Sequence, residues 1–216
     1  MRTAVFDLDG TLADTSGDLI AAANACFETP VLDRVRDQST AFRGGRAMLR
    51  LGLQRMGIED EAVVDARFPE LLRYYDANID THTRLYPGVE ECLDVLQDAG
   101  WILAVCTNKP EALAEKLLRR LGLRPRFASV LGADSLPVRK PDPRHLLETI
   151  GRAGGQASQS VLIGDTETDS KTAAAASVPC VLVTFGPDGR GVETLRPQGL
   201  LDRYEDLPAL LDQLLR

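Results

Sequence analysis

The stretch that most constrains this chain is its start. Ala4-Val5-Phe6 is an apolar, β-prone run that halts on Asp7, with a second acid at Asp9 and then Gly10-Thr11. It reads as a buried strand delivering two carboxylates to its C-terminal end. Strand side chains alternate, so Asp7 and Asp9 share a site while Leu8 turns away into the core. Two ionised acids this close repel, so one keeps its proton or a cation neutralises the pair. Both solutions are chemically useful. A carboxylate attacks phosphorus or carbon covalently, Mg2+ takes one or two protein carboxylates and bridges to phosphate, and a protonated acid donates to a leaving alkoxide. A calcium loop counted from Asp7 needs Gly sixth and Glu twelfth, where this chain has Leu12 and Asp18. An Asp9-Gly10 hairpin turn needs a following strand, but Leu12 to Phe27 has helical spacing and is rich in Ala. A chance Asp-x-Asp in a surface loop stays open at this point.

Composition narrows the classes. With 216 residues the chain is long enough for a substantial core, as one domain or a domain with an insertion. A net charge of −7 argues against a nucleic-acid surface or an acidic membrane as partner. No apolar run approaches membrane-spanning length and no signal peptide is visible, so a cytoplasmic protein is expected. Cys26, Cys92, Cys106 and Cys180 show no C-x-x-C spacing and read as buried, reduced thiols. Cys106 ends a strand, but the position where a cysteine phosphatase needs its Arg is Ala112. His82 and His145 offer no metal-ligand spacing and read as surface or boundary residues.

Along the chain, helical patterns cover residues 16–28, 47–56 and 60–78, residues 29–45 have no clear period, and nothing within 13–82 resembles a buried strand. From Tyr86 the texture alternates. Helices are expected at 89–99, 111–121, 143–153, 168–176 and 207–215, and strands at 102–106, 128–131, 161–163 and 180–184. That alternation means a parallel sheet covered on both faces. The first strand belongs with this later part. The expected architecture is therefore α/β: a Rossmann-like parallel-sheet core of residues 1–13 plus 84–216, with an inserted α-helical cap domain of residues 14–83. No internal repeat or low-complexity segment appears.

Ligands bind at the carboxyl ends of parallel strands, and the unusual polar residues fall there. Thr107-Asn108-Lys109-Pro110 is either a helix cap or a phosphate cradle at a helix N-terminus. Arg139-Lys140-Pro141-Asp142-Pro143 is either a rigid solvated turn or a device that fixes an ammonium over the site. Gly164-Asp165-Thr166-Glu167-Thr168-Asp169 is either a capped helix start or a cation site, with Asp165 on the metal and Asp169 holding a metal-bound water or Lys140.

Together, and in this order, the four motifs resemble those of the haloacid dehalogenase-like superfamily, along the whole chain and including the position of the cap. The second acid, Asp9, points to its phosphatase and phosphomutase branch. Tyr86-Pro87-Gly88-Val89-Glu90, Cys106-Thr107-Asn108-Lys109-Pro110 and the stretch from Asp134 to Pro143 are similar to the bacterial phosphoglycolate phosphatases. The resemblance implies that Asp7 is the nucleophile and becomes phosphorylated. Asp9 is implied as the acid that protonates the leaving oxygen and then activates water. It further implies Mg2+ held by the Asp7 carboxylate, the Asp9 carbonyl and Asp165, with Asp169 supporting the metal shell, and phosphoryl oxygens bound by Thr107, Asn108 and Lys140.

Substrate choice is expected to lie in the cap, where Arg43-Gly44-Gly45-Arg46 stands in place of the usual Gly-x-Gly. Arg43 or Arg46 is a candidate partner for a substrate carboxylate, or a solvated surface charge. Ser177 stands at a helix end where relatives carry Gly, so a left-handed cap there is expected to be strained. The expected function is Mg2+-dependent hydrolysis of a small phosphorylated metabolite, 2-phosphoglycolate first, by a monomer or homodimer. The alternatives are a phosphatase for a nucleotide, sugar phosphate or pyrophosphate, a phosphosugar mutase, and a phospho-Asp signalling module.

Overall fold

The computed structural model describes residues 1–215. The chain runs β1 (Thr3–Phe6), β2 (Ala13–Asp14), α1 (Ser16–Asn24), α2 (Gln38–Ala41), α3 (Gly45–Arg55), α4 (Glu61–Ala77) and β3 (Arg84–Leu85). It continues α5 (Val89–Asp98), β4 (Ile102–Cys106), α6 (Glu111–Arg120), β5 (Ser129–Leu131), α7 (Pro143–Arg152) and β6 (Ser160–Gly164). The last elements are α8 (Glu167–Ala176), β7 (Cys180–Val183), β8 (Gly199–Leu201) and α9 (Leu207–Leu214). Two compact units emerge, Met1–Ala13 with the chain from Leu85 onward, and Asp14–Arg84.

The first unit is built on a six-stranded parallel sheet in the order β5-β4-β1-β6-β7-β8. The N-terminal strand is thus central, flanked by β4, which begins at Ile102, and β6, which begins at Ser160. Phe6 lies opposite Val105 of β4 and Ile163 of β6, so Asp7, Cys106-Thr107 and Gly164-Asp165 leave the sheet at one level. On one face Val5, Ala104, Leu162 and Leu182 pack against Leu146 and Ile150 of α7 and Ala173 of α8. The alternate residues Ala4, Phe6, Leu103 and Val105 are equally buried, as a sheet covered on both sides requires. The sixth strand, β8, was not expected from sequence. Only three residues long, it joins the sheet through pairing with β7, and Gly199-Leu200-Leu201 carries too short a pattern to announce itself.

In the second unit Met48, Leu49, Leu53, Val64, Leu71, Tyr75 and Ile79 are buried along α3, α4 and the following turn. The helix expected at 16–28 stops at Asn24. The Asn24 side chain accepts from the N–H groups of Val31 and Leu32 and donates to the Leu32 carbonyl, folding the chain back. Residues 29–45, patternless in sequence, hold the short α2 and a loop organised by Asp37, which accepts from the Asp33 N–H and from the Arg55 guanidinium. Asp18 likewise accepts from the N–H groups of His82 and Thr83, closing the end of the unit.

His82 is exposed, whereas His145 is not the surface or boundary residue expected of it. Its side chain is fully buried at the start of α7. Its Nε2 donates to the Gly132 carbonyl at 2.9 Å, which leaves Nδ1 to accept from the Cys106 thiol at 3.4 Å. The ring thereby ties the end of β4 to the chain leaving β5. All four cysteines are buried free thiols, and burial pushes the Cys106 thiol up to about 12, so these sulfurs are inert.

Candidate active site

The first motif is a tight loop on the end of β1. The Asp7 N–H donates to the Ile163 carbonyl, the Leu8 carbonyl accepts from Leu12 and Ala13, and the Gly10 N–H donates to Ala13. The buried Tyr204 hydroxyl donates to the Thr11 carbonyl at 2.9 Å, pinning the loop from the C-terminal part of the chain. Gly10 has φ +82°, and a Cβ there would stand 2.2 Å from Oδ2 of Asp165, so only glycine lets this loop approach the β6 end.

The charges converge on that approach. Leu8 N–H donates to Oδ1 of Asp7 at 2.7 Å and fixes the carboxylate's rotation. Lys140 Nζ stands 3.1 Å from Oδ2 of Asp7 and 2.7 Å from Oδ1 of Asp169. Asp169 serves two purposes at once, because its Oδ2 also accepts from the Thr166 N–H and hydroxyl and caps α8. Asp165 accepts from the Thr11 hydroxyl through Oδ1, while its buried Oδ2 has no hydrogen-bond partner. Burial, opposed by Lys140 and reinforced by Asp169 and Asp9, pushes the Asp7 carboxyl up to about 6. Burial also holds Asp165 well above the carboxylate range, with Asp169 and Asp7 adding to it. For Lys140, burial works against the charge, but Asp169 and Asp7 outweigh it and keep the ammonium protonated.

Among the described residues, Asp7, Asp165 and Asp169 form the one acidic group with ligand atoms close enough to share a cation, within 4.8 Å of one another. Four carboxylates (Asp7, Asp9, Asp165, Asp169) face two ammonium groups (Lys109, Lys140), an excess of two negative charges when all are ionised. That excess and the orphaned Asp165 oxygen are what a hard divalent cation would satisfy.

The structure brings Asp7, Asp9, Thr107, Lys140, Asp165 and Asp169 to the same end of the sheet. Asn108 is exposed, and its side-chain amide donates to the Lys140 carbonyl, tying the second motif to the third. The Lys140–Pro141 peptide is cis. In the helical unit Arg43 is exposed, and Arg46 pairs with Asp65 and lies over the Phe68 ring.

One residue of the site was not singled out from sequence. Lys109, 3% exposed at its side chain, places Nζ 2.7 and 2.9 Å from the two carboxylate oxygens of Asp9. Its signal was its position after Thr107 and Asn108 at a strand end. A lysine there is as easily read as a solvated helix-start charge, and only the strand order sets it against residue 9.

Two acids in the loop just past β1, a buried lysine bridging acids, and a capped helix start bearing a further pair stand together at the carboxyl edge of one parallel sheet, the edge where open α/β folds bind ligands. The chain belongs to the haloacid dehalogenase-like hydrolase family, whose sequence model matches residues 4–183. It is 40% identical over 217 residues to a phosphoglycolate phosphatase of Mesorhizobium japonicum, covering 98% of this chain and 96% of that one. It is 38% identical over 210 residues to a phosphoglycolate phosphatase of Caulobacter vibrioides, covering 95% and 89%. Its fold matches the crystal structure of a predicted phosphoglycolate phosphatase from Haemophilus somnus 129PT with a TM-score of 0.86, at 27% identity and 97% coverage of both chains.

Proposed function

We propose that this protein is a Mg2+-dependent phosphatase of small phosphomonoesters that converts 2-phosphoglycolate to glycolate and phosphate. The observation that carries the reading is the Asp7–Lys140–Asp169 bridge beside Asp9, in a chain that is 40% identical over nearly its full length to a relative named for that substrate.

Asp7 attacks phosphorus, and the bond to the ester oxygen breaks as Asp9 gives that oxygen a proton. Water then attacks the phosphorus of the acyl phosphate, Asp9 takes a proton from it, and phosphate leaves as the Asp7 carboxylate is restored. Lys140 holds Asp7 and presents its ammonium to the phosphoryl oxygens. Thr107 accepts from the Lys109 N–H at 3.1 Å, which leaves its hydroxyl proton for a phosphoryl oxygen. Asn108, whose amide is committed to Lys140, contributes its backbone N–H. Asp7, the Asp9 carbonyl and Asp165, with Asp169 behind them, would hold the Mg2+. When bound, the ion supplies positive charge to the phosphoryl oxygens and the crowded acids. We read the helical unit as a cap that contributes to the choice among substrates, and the four buried thiols fit a reducing cytoplasm.

The test is phosphate release, with Mg2+ or with chelator, from 2-phosphoglycolate, ethyl phosphate, sugar phosphates, nucleotides and pyrophosphate. The expected result is the highest kcat/KM for 2-phosphoglycolate, abolished in Asp7→Asn although that variant stays folded. Release that survives Asp7→Asn would refute the nucleophile, and a requirement for a sugar bisphosphate would refute hydrolysis as the reaction.

A further inference from the structure

The substrate proposed above carries two anionic groups, and the bridge built around Asp7 accounts for one. We propose that Lys109 is the residue that reads the other, the carboxylate next to the scissile ester, and so selects 2-phosphonooxy carboxylates over plain alkyl phosphates; this rests on the substrate reading above.

The argument is one of reach. A residue that protonates the leaving oxygen must stand within hydrogen-bond distance of it, roughly 2.6–3.2 Å. Lys109 Nζ is 2.7 and 2.9 Å from the two oxygens of Asp9. In a 2-phosphonooxy carboxylate the carboxylate oxygens are separated from the leaving oxygen by one C–C and two C–O bonds, roughly 3 Å. A cation that touches Asp9 is therefore within reach of that carboxylate when Asp9 engages the leaving oxygen. When Asp9 turns to that oxygen its hold on Lys109 loosens, and a further anion beside the ammonium is favoured. The substrate brings one at the right distance.

The backbone under Lys109 is built to hold this position. Its N–H donates to the Thr107 hydroxyl oxygen at 3.1 Å, and its carbonyl accepts from the Ala133 N–H at 2.9 Å. Gly132 packs so tightly beneath it that a Cβ would stand 2.6 Å from the Lys109 carbonyl oxygen and 2.2 Å from the Glu111 nitrogen. The side chain is launched from a fixed base, as a specificity contact needs. Arg46, the other kind of candidate, already has Asp65 as its partner.

The experiment compares kcat/KM for 2-phosphoglycolate with kcat/KM for ethyl phosphate, which keeps the leaving group's frame and replaces the carboxylate by a methyl group. The readout is the ratio, in the wild type, Lys109→Met, Lys109→Gln, Lys109→Arg, Arg43→Ala and Arg46→Ala, each checked by circular dichroism for folding. A charge-assisted contact of this kind predicts that the ratio falls by about 10- to 100-fold in Lys109→Met or Lys109→Gln, with part recovered in Lys109→Arg. A lysine that only neutralises Asp9 would lower both substrates together and leave the ratio standing, which overturns the proposal. So does a ratio that collapses in an arginine variant and not at Lys109. A wild-type ratio near one overturns the substrate reading itself and Lys109's role with it, whereas a high wild-type ratio that survives Lys109→Met removes Lys109 alone.

Discussion

Replacing Lys140 with Met tests the electrostatic logic of the site directly. The side chain is 1% exposed and stands between Asp7, 13% exposed, and Asp169, fully buried. Methionine fills a similar volume but leaves Asp169 with one oxygen bare, since only Oδ2 is satisfied by Thr166. Removing one partner of a buried ion pair costs about 3–5 kcal/mol, far more than the net worth of a surface pair. Against an ordinary folding stability of about 5–15 kcal/mol, that is a large fraction of the total. Urea unfolding at pH 7 in chelator, followed by the fluorescence of Trp101, the single and buried tryptophan, measures it. With a slope of about 1–3 kcal/mol per molar urea, the midpoint should fall by about 1 M or more at unchanged slope. Adding Asp169→Asn to Lys140→Met removes the stranded charge while keeping an acceptor for Thr166. The double variant should therefore be more stable than the sum of the single effects by about 1–3 kcal/mol. A loss below about 1 kcal/mol in Lys140→Met, or strict additivity in the double variant, would refute the reading that the ammonium neutralises these acids.

The remaining predictions concern the metal, His145 and Ser177. Mg2+ should raise the melting temperature in a concentration-dependent way, and Asp165→Asn, which alters the residue with the orphaned buried oxygen, should largely abolish that shift. Burial, with Lys140 adding and the Gly132 carbonyl opposing, holds the His145 pKa below its usual 6.5. The unfolded chain then binds a proton that the folded one refuses, so stability is lost as pH falls below about 6.5, with a limiting slope of about 1.4 kcal/mol per pH unit. His145→Gln should reduce the dependence of the urea midpoint on pH in the window just below about 6.5, and an unchanged profile would refute the buried neutral ring. Ser177 adopts φ +55° at the end of α8, so Ser177→Gly should stabilise the protein by about 1 kcal/mol, read as a raised urea midpoint.

Much of the site was legible because its chemistry is local. Asp7 and Asp9 are two apart in the short loop that ends β1, Asp165 and Asp169 four apart at a helix start, and the cap formed by Thr166 with Asp169 needs only those neighbours. The alternation after Tyr86 likewise announced parallel strands, and the acids at their ends announced a ligand edge. What short-range pattern does not encode is which buried group each polar side chain will meet.

Sequence alone determined the strand-and-helix alternation and the insertion of a helical segment after the first strand, since both rest on periodicity. It also determined the four polar clusters and their order. Only the tertiary structure decided that β1 lies between β4 and β6, and with it that Lys109 faces Asp9 and Lys140 bridges Asp7 to Asp169. The same packing buried His145 against Cys106 and Gly132 and added β8 to the sheet. The physical reason is common to all of these. A lysine or histidine looks the same in sequence whether water or a buried acid awaits it, and the partner comes from a strand or loop many residues away, chosen by the packing of the whole sheet.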